Sequence, residues 1–264
     1  MSLSRKLTLA GAALTFALGV AIAGRVSSLS PGFHQLAGSA LVAELVLLTL
    51  ALGGTWASQR APGDALGLLP SRLPGHVIVM LVVATLAASH ALDGVLSLLG
   101  LRGQSALDAF ANALAGIHGL ELMAALAAIG LMPALAEELL CRGIVQRSLA
   151  LRVGPVFAIL SSSLLFAILH GEVIHALLAA PLGLHLGLIA WWGDSTRPAM
   201  LCHAVNNLGA VLLAAMAFEM PGSPWFHVGL GSLVAGGCWL MAASLGPGPP
   251  GRSPLQPRPG TDDG

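Results

Sequence analysis

Residues 119–152 read GLELMAALAAIGLMPALAEELLCRGIVQRSLALR. The stretch opens as an apolar run of Ala, Leu, Ile and Met. It then carries Glu137, Glu138 and Arg142 with no turn residue to lift them out of the run. A helix crosses the hydrocarbon core of a bilayer in about 20 residues. The stretch is therefore too long for one simple span, and Pro133 is expected to kink or split it. Ionisable groups at membrane depth are costly, so each needs a partner or a task. Glu138 and Arg142 stand four residues apart on one helix face and can pair. Glu137 sits about 100° around the helix from Glu138 and has no local cation. Two adjacent carboxylates in a poor dielectric cannot both ionise cheaply, and a carboxylate held in such a place suits the work of a general base. The plainer alternative is a solvated Glu–Arg pair at a helix end.

The rest of the chain has the composition that this stretch demands. Of 264 residues, 56% are hydrophobic and only 9% charged, with a mean hydropathy of +0.84. A soluble domain carries about 25% charged residues, so lipid must be the main solvent here. A net charge of +0 argues against nucleic acid as a partner. Cys141, Cys202 and Cys238 lie in apolar runs without paired spacing, so neither a disulfide framework nor a zinc knuckle is indicated. Tyrosine is absent and lysine occurs only at Lys6, a composition that suits a GC-rich bacterial genome.

About eight apolar segments are candidate spans: residues 7–24, 36–57, 76–99, 119–152, 155–170, 172–192, 198–218 and 223–245. The first follows Arg5 and Lys6 and has features of a signal peptide. Its length, and the spans behind it, favour a retained helix. Residues 104–118 read as an interfacial amphipathic helix, and the Pro/Gly-rich end of the chain as a disordered tail. The fold expected is an all-α polytopic transmembrane bundle with a membrane-embedded polar site. Residues 1–118 form its N-terminal helices, 119–245 its catalytic core and 246–264 its tail. With both termini in the cytoplasm, Arg5, Lys6, Arg60, Arg72, Arg147, Arg152, Arg197, Arg252 and Arg258 fall inside, and only Arg25 and Arg102 outside. Trp191, Trp192 and Trp225 fall at helix ends, as interfacial anchors do.

Two further segments add polar groups at membrane depth. One ends Phe166-Ala167-Ile168-Leu169-His170; the other contains His203-Ala204-Val205-Asn206-Asn207. His203 and Asn207 are four apart and can face one cavity. With Glu137 and Glu138 they supply a base, proton carriers and amide donors, which covers water activation and oxyanion stabilisation in acyl transfer. A serine nucleophile is not needed, and Ser161, Ser162 and Ser163 suit helix packing better. Glu44, His90, Asp93, Glu121, His175 and His185 also fall in or near apolar spans. His90 and Asp93, three apart, could pair as a second polar site; the reading preferred is a structural hydrogen-bonded pair between helices.

Glu137-Glu138-x-x-x-Arg142, Phe166-x-x-x-His170 and His203-x-x-x-Asn207, in that order, resemble the motif set of the CAAX-protease and bacteriocin-processing (CPBP) family. The resemblance covers residues 137–207 and implies a glutamate-dependent intramembrane endopeptidase. It makes Glu137, Glu138, His170, His203 and Asn207 the candidate catalytic set. By the resemblance, Glu137 is the general base and His170 helps it activate water. His203 and Asn207 stabilise the oxyanion, Glu138 and Arg142 hold the motif helix, and Phe166 packs beside the site. Family members have been described as metalloproteases, and the Glu/His inventory could hold zinc. The absence of a His-Glu-x-x-His helix favours a metal-free mechanism with no cofactor. The implied partner is a membrane-associated protein or peptide, cut near the bilayer of the inner membrane. Processing or sorting of exported proteins through C-terminal tails is one such task. The competing readings are an ion- or proton-coupled transporter, which the lack of an internal repeat disfavours, and a non-catalytic bacteriocin self-immunity protein.

Overall fold

A computed structural model describes residues 33–248 and 250. The candidate span 7–24 and nearly all of the tail lie outside the described residues. Those described form helices α1 (Phe33–Ser58), α2 (Pro62–Ala65), α3 (Gly75–Leu98) and α4 (Ala106–Leu114). They continue as α5 (Gly119–Val153), α6 (Pro155–Leu169), α7 (Val173–Gly193), α8 (Arg197–Ala215) and α9 (Pro224–Leu245). There is no strand among the described residues.

Six of these helices are long and apolar enough to cross a membrane, and the protein is a multi-pass membrane protein. Its burial pattern is inverted relative to a soluble fold. Trp56, Leu120, Val156, Leu233 and Leu240 are exposed, whereas Glu44, Glu138, Arg142, Gln146 and His203 are buried. Apolar side chains facing lipid cost nothing, and polar side chains then find partners only inside the bundle.

Two expectations about spans need correction. The 15-residue α6 is about 22 Å long at 1.5 Å per residue. That is short of the roughly 30 Å hydrocarbon core, so the segment expected at 155–170 is not a full span. Of the kink or split expected at Pro133, the split does not occur: α5 runs unbroken for 35 residues. Residues Leu126–Leu131, just before the proline, form wide π-helical turns, as do Leu139–Gln146. The missing proline N–H falls where the hydrogen-bond register is already shifting, so no break is required.

Small residues let the helices approach. A Cβ on Gly231 of α9 would come within 2.6 Å of the Ala87 carbonyl oxygen of α3. Gly183 and Gly187 of α7 lie against Phe166 and Ile159 of α6. These two glycines have the Gly-x-x-x-Gly spacing of close helix pairs, a signal the sequence reading overlooked. Gly143, directly after Arg142, faces the loop between α2 and α3; a Cβ there would meet the Leu66 carbonyl oxygen at 2.8 Å. The same loop is pinned from the α7–α8 turn, where the Thr196 hydroxyl donates to Leu66 O (2.9 Å) and the Ser195 hydroxyl to Leu69 O (2.7 Å). The motif helix is thereby clamped just beyond its charged residues.

Candidate active site

The site is built around Glu138. Its side chain and that of Arg142 are fully buried. The Arg142 Nη1 donates to Glu138 Oε1 at 2.9 Å, across one helical turn. Its Nη2 donates to the Gly183 carbonyl of α7 at 2.7 Å, and its guanidinium lies 4.5 Å from the Phe166 ring centroid. Arg142 thus joins α5, α6 and α7 through one planar group, a task that a point-charge lysine would do poorly. One turn further along α5, the Gln146 amide donates to Gly187 O (2.9 Å) and accepts from the Ser162 hydroxyl (2.9 Å). Sequence reasoning passed over Gln146, although its i+4 spacing from Arg142 was a usable signal.

α8 enters through His203, which is buried. Its Nδ1 lies 3.1 Å from Glu138 Oε1. A carboxylate oxygen that already accepts from Arg142 accepts here too, so His203 carries its proton on Nδ1. His170, at the end of α6, sets its Nδ1 2.7 Å from the Phe166 carbonyl oxygen. A carbonyl only accepts, so Nδ1 is the protonated nitrogen and Nε2 is the basic one. The Phe166 ring packs against both histidines, with centroid separations of 5.0 Å to His170 and 5.5 Å to His203. Glu138, Arg142, Phe166, His170 and His203 therefore converge from α5, α6 and α8.

The remaining candidates are placed differently. Asn207 follows His203 by one turn on α8, and its Oδ1 accepts from the Asn206 amide at 3.3 Å. Glu137 is buried at 7% exposure, and no hydrogen bond among the described residues joins it to His170. The sequence reading left it alone. The structure instead gives it a neighbour from α1, because Glu44, also 7% exposed, has its carboxyl within hydrogen-bonding reach of Glu137. The residues His90 and Asp93 do not pair. Nε2 of His90 lies 2.9 Å from Nδ1 of His227 on α9, while Asp93 takes Arg102. His175 stacks edge-on to His170 with centroids 4.3 Å apart. His185 lies between the Thr85 hydroxyl (2.8 Å) and the Trp239 indole N–H (3.0 Å), away from the glutamates.

The turn that carries His170 is tied down by Glu172. Its carboxylate caps α7 by accepting from the backbone N–H of Ile174 (2.7 Å) and His175 (2.9 Å), and it accepts from the Ser105 hydroxyl at 3.2 Å. Burial by itself would raise this carboxyl. The hydrogen bonds outweigh it and hold the group below its ordinary value of 4.5.

Among the described residues, no group of three His, Cys, Asp or Glu side chains is arranged to hold a metal ion. Glu138 Oε1 accepts from Arg142 and lies against His203, whereas its Oε2 is buried without a hydrogen-bond partner among the described residues. The arrangement can hold a proton on a buried carboxyl, present a basic imidazole nitrogen and place donors nearby.

Residues 119–209 match the model of a protein family described as Rce1-like, type II CAAX prenyl endopeptidase. No curated protein and no solved structure matches the chain.

Proposed function

We propose that this chain, which over residues 119–209 carries a domain of the CAAX-protease (CPBP) family, is an intramembrane endopeptidase that hydrolyses a peptide bond close to the bilayer. A protease family and a multi-pass helical bundle are the premises. The observation that carries the finer reading is the buried Glu138–Arg142–His203 cluster with Glu137 one residue away, all enclosed by apolar helices.

In this reading Glu137 is the general base. It takes a proton from a water molecule as that water attacks the scissile carbonyl carbon. The basic Nε2 of His170 orients the same water. With Nδ1–H of His203 given to Glu138, its Nε2 donates to the developing oxyanion only as the imidazolium, whose charge would lie against the Glu138 carboxylate. Asn207 adds an amide donor. Arg142 keeps Glu138 compensated and fixes its direction. The substrate is a membrane-associated protein or peptide, and trimming of exported proteins through C-terminal tails fits a site set inside an inner-membrane bundle. No metal or other cofactor enters this reaction scheme.

The test uses the full chain reconstituted in liposomes with a quenched fluorescent peptide carrying a C-terminal CAAX-type tail. Glu137→Ala and His170→Ala, made separately, should each reduce cleavage by roughly 10²–10⁴-fold, the usual worth of a general acid–base group. Cleavage that survives both changes would sink the reading.

A further inference from the structure

Three observations meet where α1 packs against α5. First, Glu44 and Glu137 are both buried, one on α1 and one on α5, with carboxyl groups within hydrogen-bonding reach. Second, Oε2 of each is buried without a hydrogen-bond partner among the described residues, as is Oε2 of Glu138. Third, the helices that carry them are locked together by an apolar cluster of Leu47, Ala51, Ala136, Leu139 and Leu140, so the carboxyls cannot drift apart. Glu44 lies far outside residues 119–209, where the family match falls.

Among the described residues, no cation is given to this pair. The titratable groups at this corner are Glu44 from α1 and Glu137, Glu138, Cys141 and Arg142 from α5, and the Cys141 thiol feels all four of the others. From α8, His203 reaches Glu138. Arg142 and His203 are both spent on Glu138 Oε1. Two carboxylates in contact, with no compensating charge and little water, cannot both ionise. A single retained proton removes the repulsion and makes one hydrogen bond between them.

We propose that Glu44 and Glu137 form a carboxylic acid–carboxylate pair that shares one proton, with Glu44 a positioning residue acting through Glu137. The inference rests on the protease reading for its catalytic consequence. A water O–H proton passes to the monoanionic pair as the water oxygen bonds to the carbonyl carbon and the carbonyl π electrons move onto oxygen. Both carboxyls are then neutral. When the tetrahedral species collapses, the C–N bond breaks, a proton leaves the pair for the departing nitrogen, and the single-proton state returns. Pairs of carboxyls whose surroundings divide the acid and base roles are a general device for this chemistry, and the proton belongs to the pair, not to either residue.

The pair is tested by infrared spectroscopy of the reconstituted full chain, following the C=O stretch of a protonated carboxyl at neutral pH. Wild type should show one such band. Glu44→Gln should abolish it, since the acid partner of the pair is then gone, whereas Glu137→Gln should shift its frequency, since Glu44 stays buried and trades a carboxylate partner for an amide. The double variant should remove nothing more, and Glu44→Asp should keep it. Bands that persist in Glu44→Gln, or losses that add in the double variant, overturn the pair. In the peptide assay, Glu44→Gln should lower kcat by more than about tenfold at unchanged KM, a smaller loss than the general-base substitution causes, and Glu44→Asp should recover part of it. If the band behaves as stated and wild type cleaves no peptide, the protease reading fails and the shared proton stands. Where wild type cleaves and Glu44→Gln changes neither band nor kcat, the converse holds.

Discussion

Arg142→Leu is the most informative single change outside the proton-transfer groups. The wild-type guanidinium is fully buried and has three attachments: Glu138 at 2.9 Å, Gly183 O at 2.7 Å, and the Phe166 ring at 4.5 Å. Leucine fills part of the space and restores none of them. What dominates is the charge left behind. Among the described residues Glu138 would keep only His203 as a hydrogen-bond partner, and stripping one partner from a buried ion pair costs about 3–5 kcal/mol. The lost hydrogen bond to Gly183 O and the cation–π contact are each smaller, on the order of 1–3 kcal/mol at most. Those two losses should persist when the charge is also removed. The double variant Arg142→Leu/Glu138→Gln should therefore recover about 3–5 kcal/mol of the single variant's loss, since a neutral amide in place of the carboxylate no longer needs a cation. Unfolding of the purified full chain in mixed detergent micelles, followed by far-UV circular dichroism, gives the cycle. If the double variant is as unstable as the single one, the cost is packing and not charge. If the single variant falls within about 1 kcal/mol of wild type, the pair behaves like a solvated surface ion pair and Glu138 does not depend on Arg142 for compensation.

Gly143→Ala should destabilise the chain by about 1–3 kcal/mol, because the new methyl meets rigid backbone at Leu66 and overpacking of this kind is not relieved by a rotamer change; an unchanged melting temperature would contradict it. Glu172→Gln should weaken the turn that carries His170. Its folded carboxyl is held below 4.5, so its stabilisation is fully present above the unfolded pKa and is lost as pH falls through the lower folded value. The gap in melting temperature between wild type and Glu172→Gln should thus be widest at neutral pH and close on acidification below 4.5; a gap that widens on acidification refutes the assignment. Asp93→Asn, by contrast, removes an ion pair whose two side chains, Arg102 and Asp93, are 52% and 45% exposed. It should shift stability by no more than about 1 kcal/mol, and a larger loss in the same micelle assay would show that the Arg102 contact is structural.

The sequence by itself determined the solvent of this protein. With 9% charged residues and apolar runs of spanning length, no other environment satisfies both backbone and side chains, and a helical bundle follows. It also determined the Glu138–Arg142 pair, because four residues on one helix fix that geometry locally. Tertiary structure alone decided the contacts between helices. Nothing in the spacing of α1 reveals that Glu44 comes to rest against Glu137, since that meeting depends on how α1 packs against α5. His203 reaching Glu138, at a separation of 65 residues, is of the same kind. So is the parting of His90 from Asp93, where α9 supplied a better partner in His227. Periodicity specifies which face of a helix a residue occupies. Which other face it meets is set by the small residues that let two backbones close, here Gly183, Gly187 and Gly231. The glutamate pair of the motif is therefore two different sites: Glu138 is answered from within its own helix and from α8, and Glu137 from a helix that the motif never mentions.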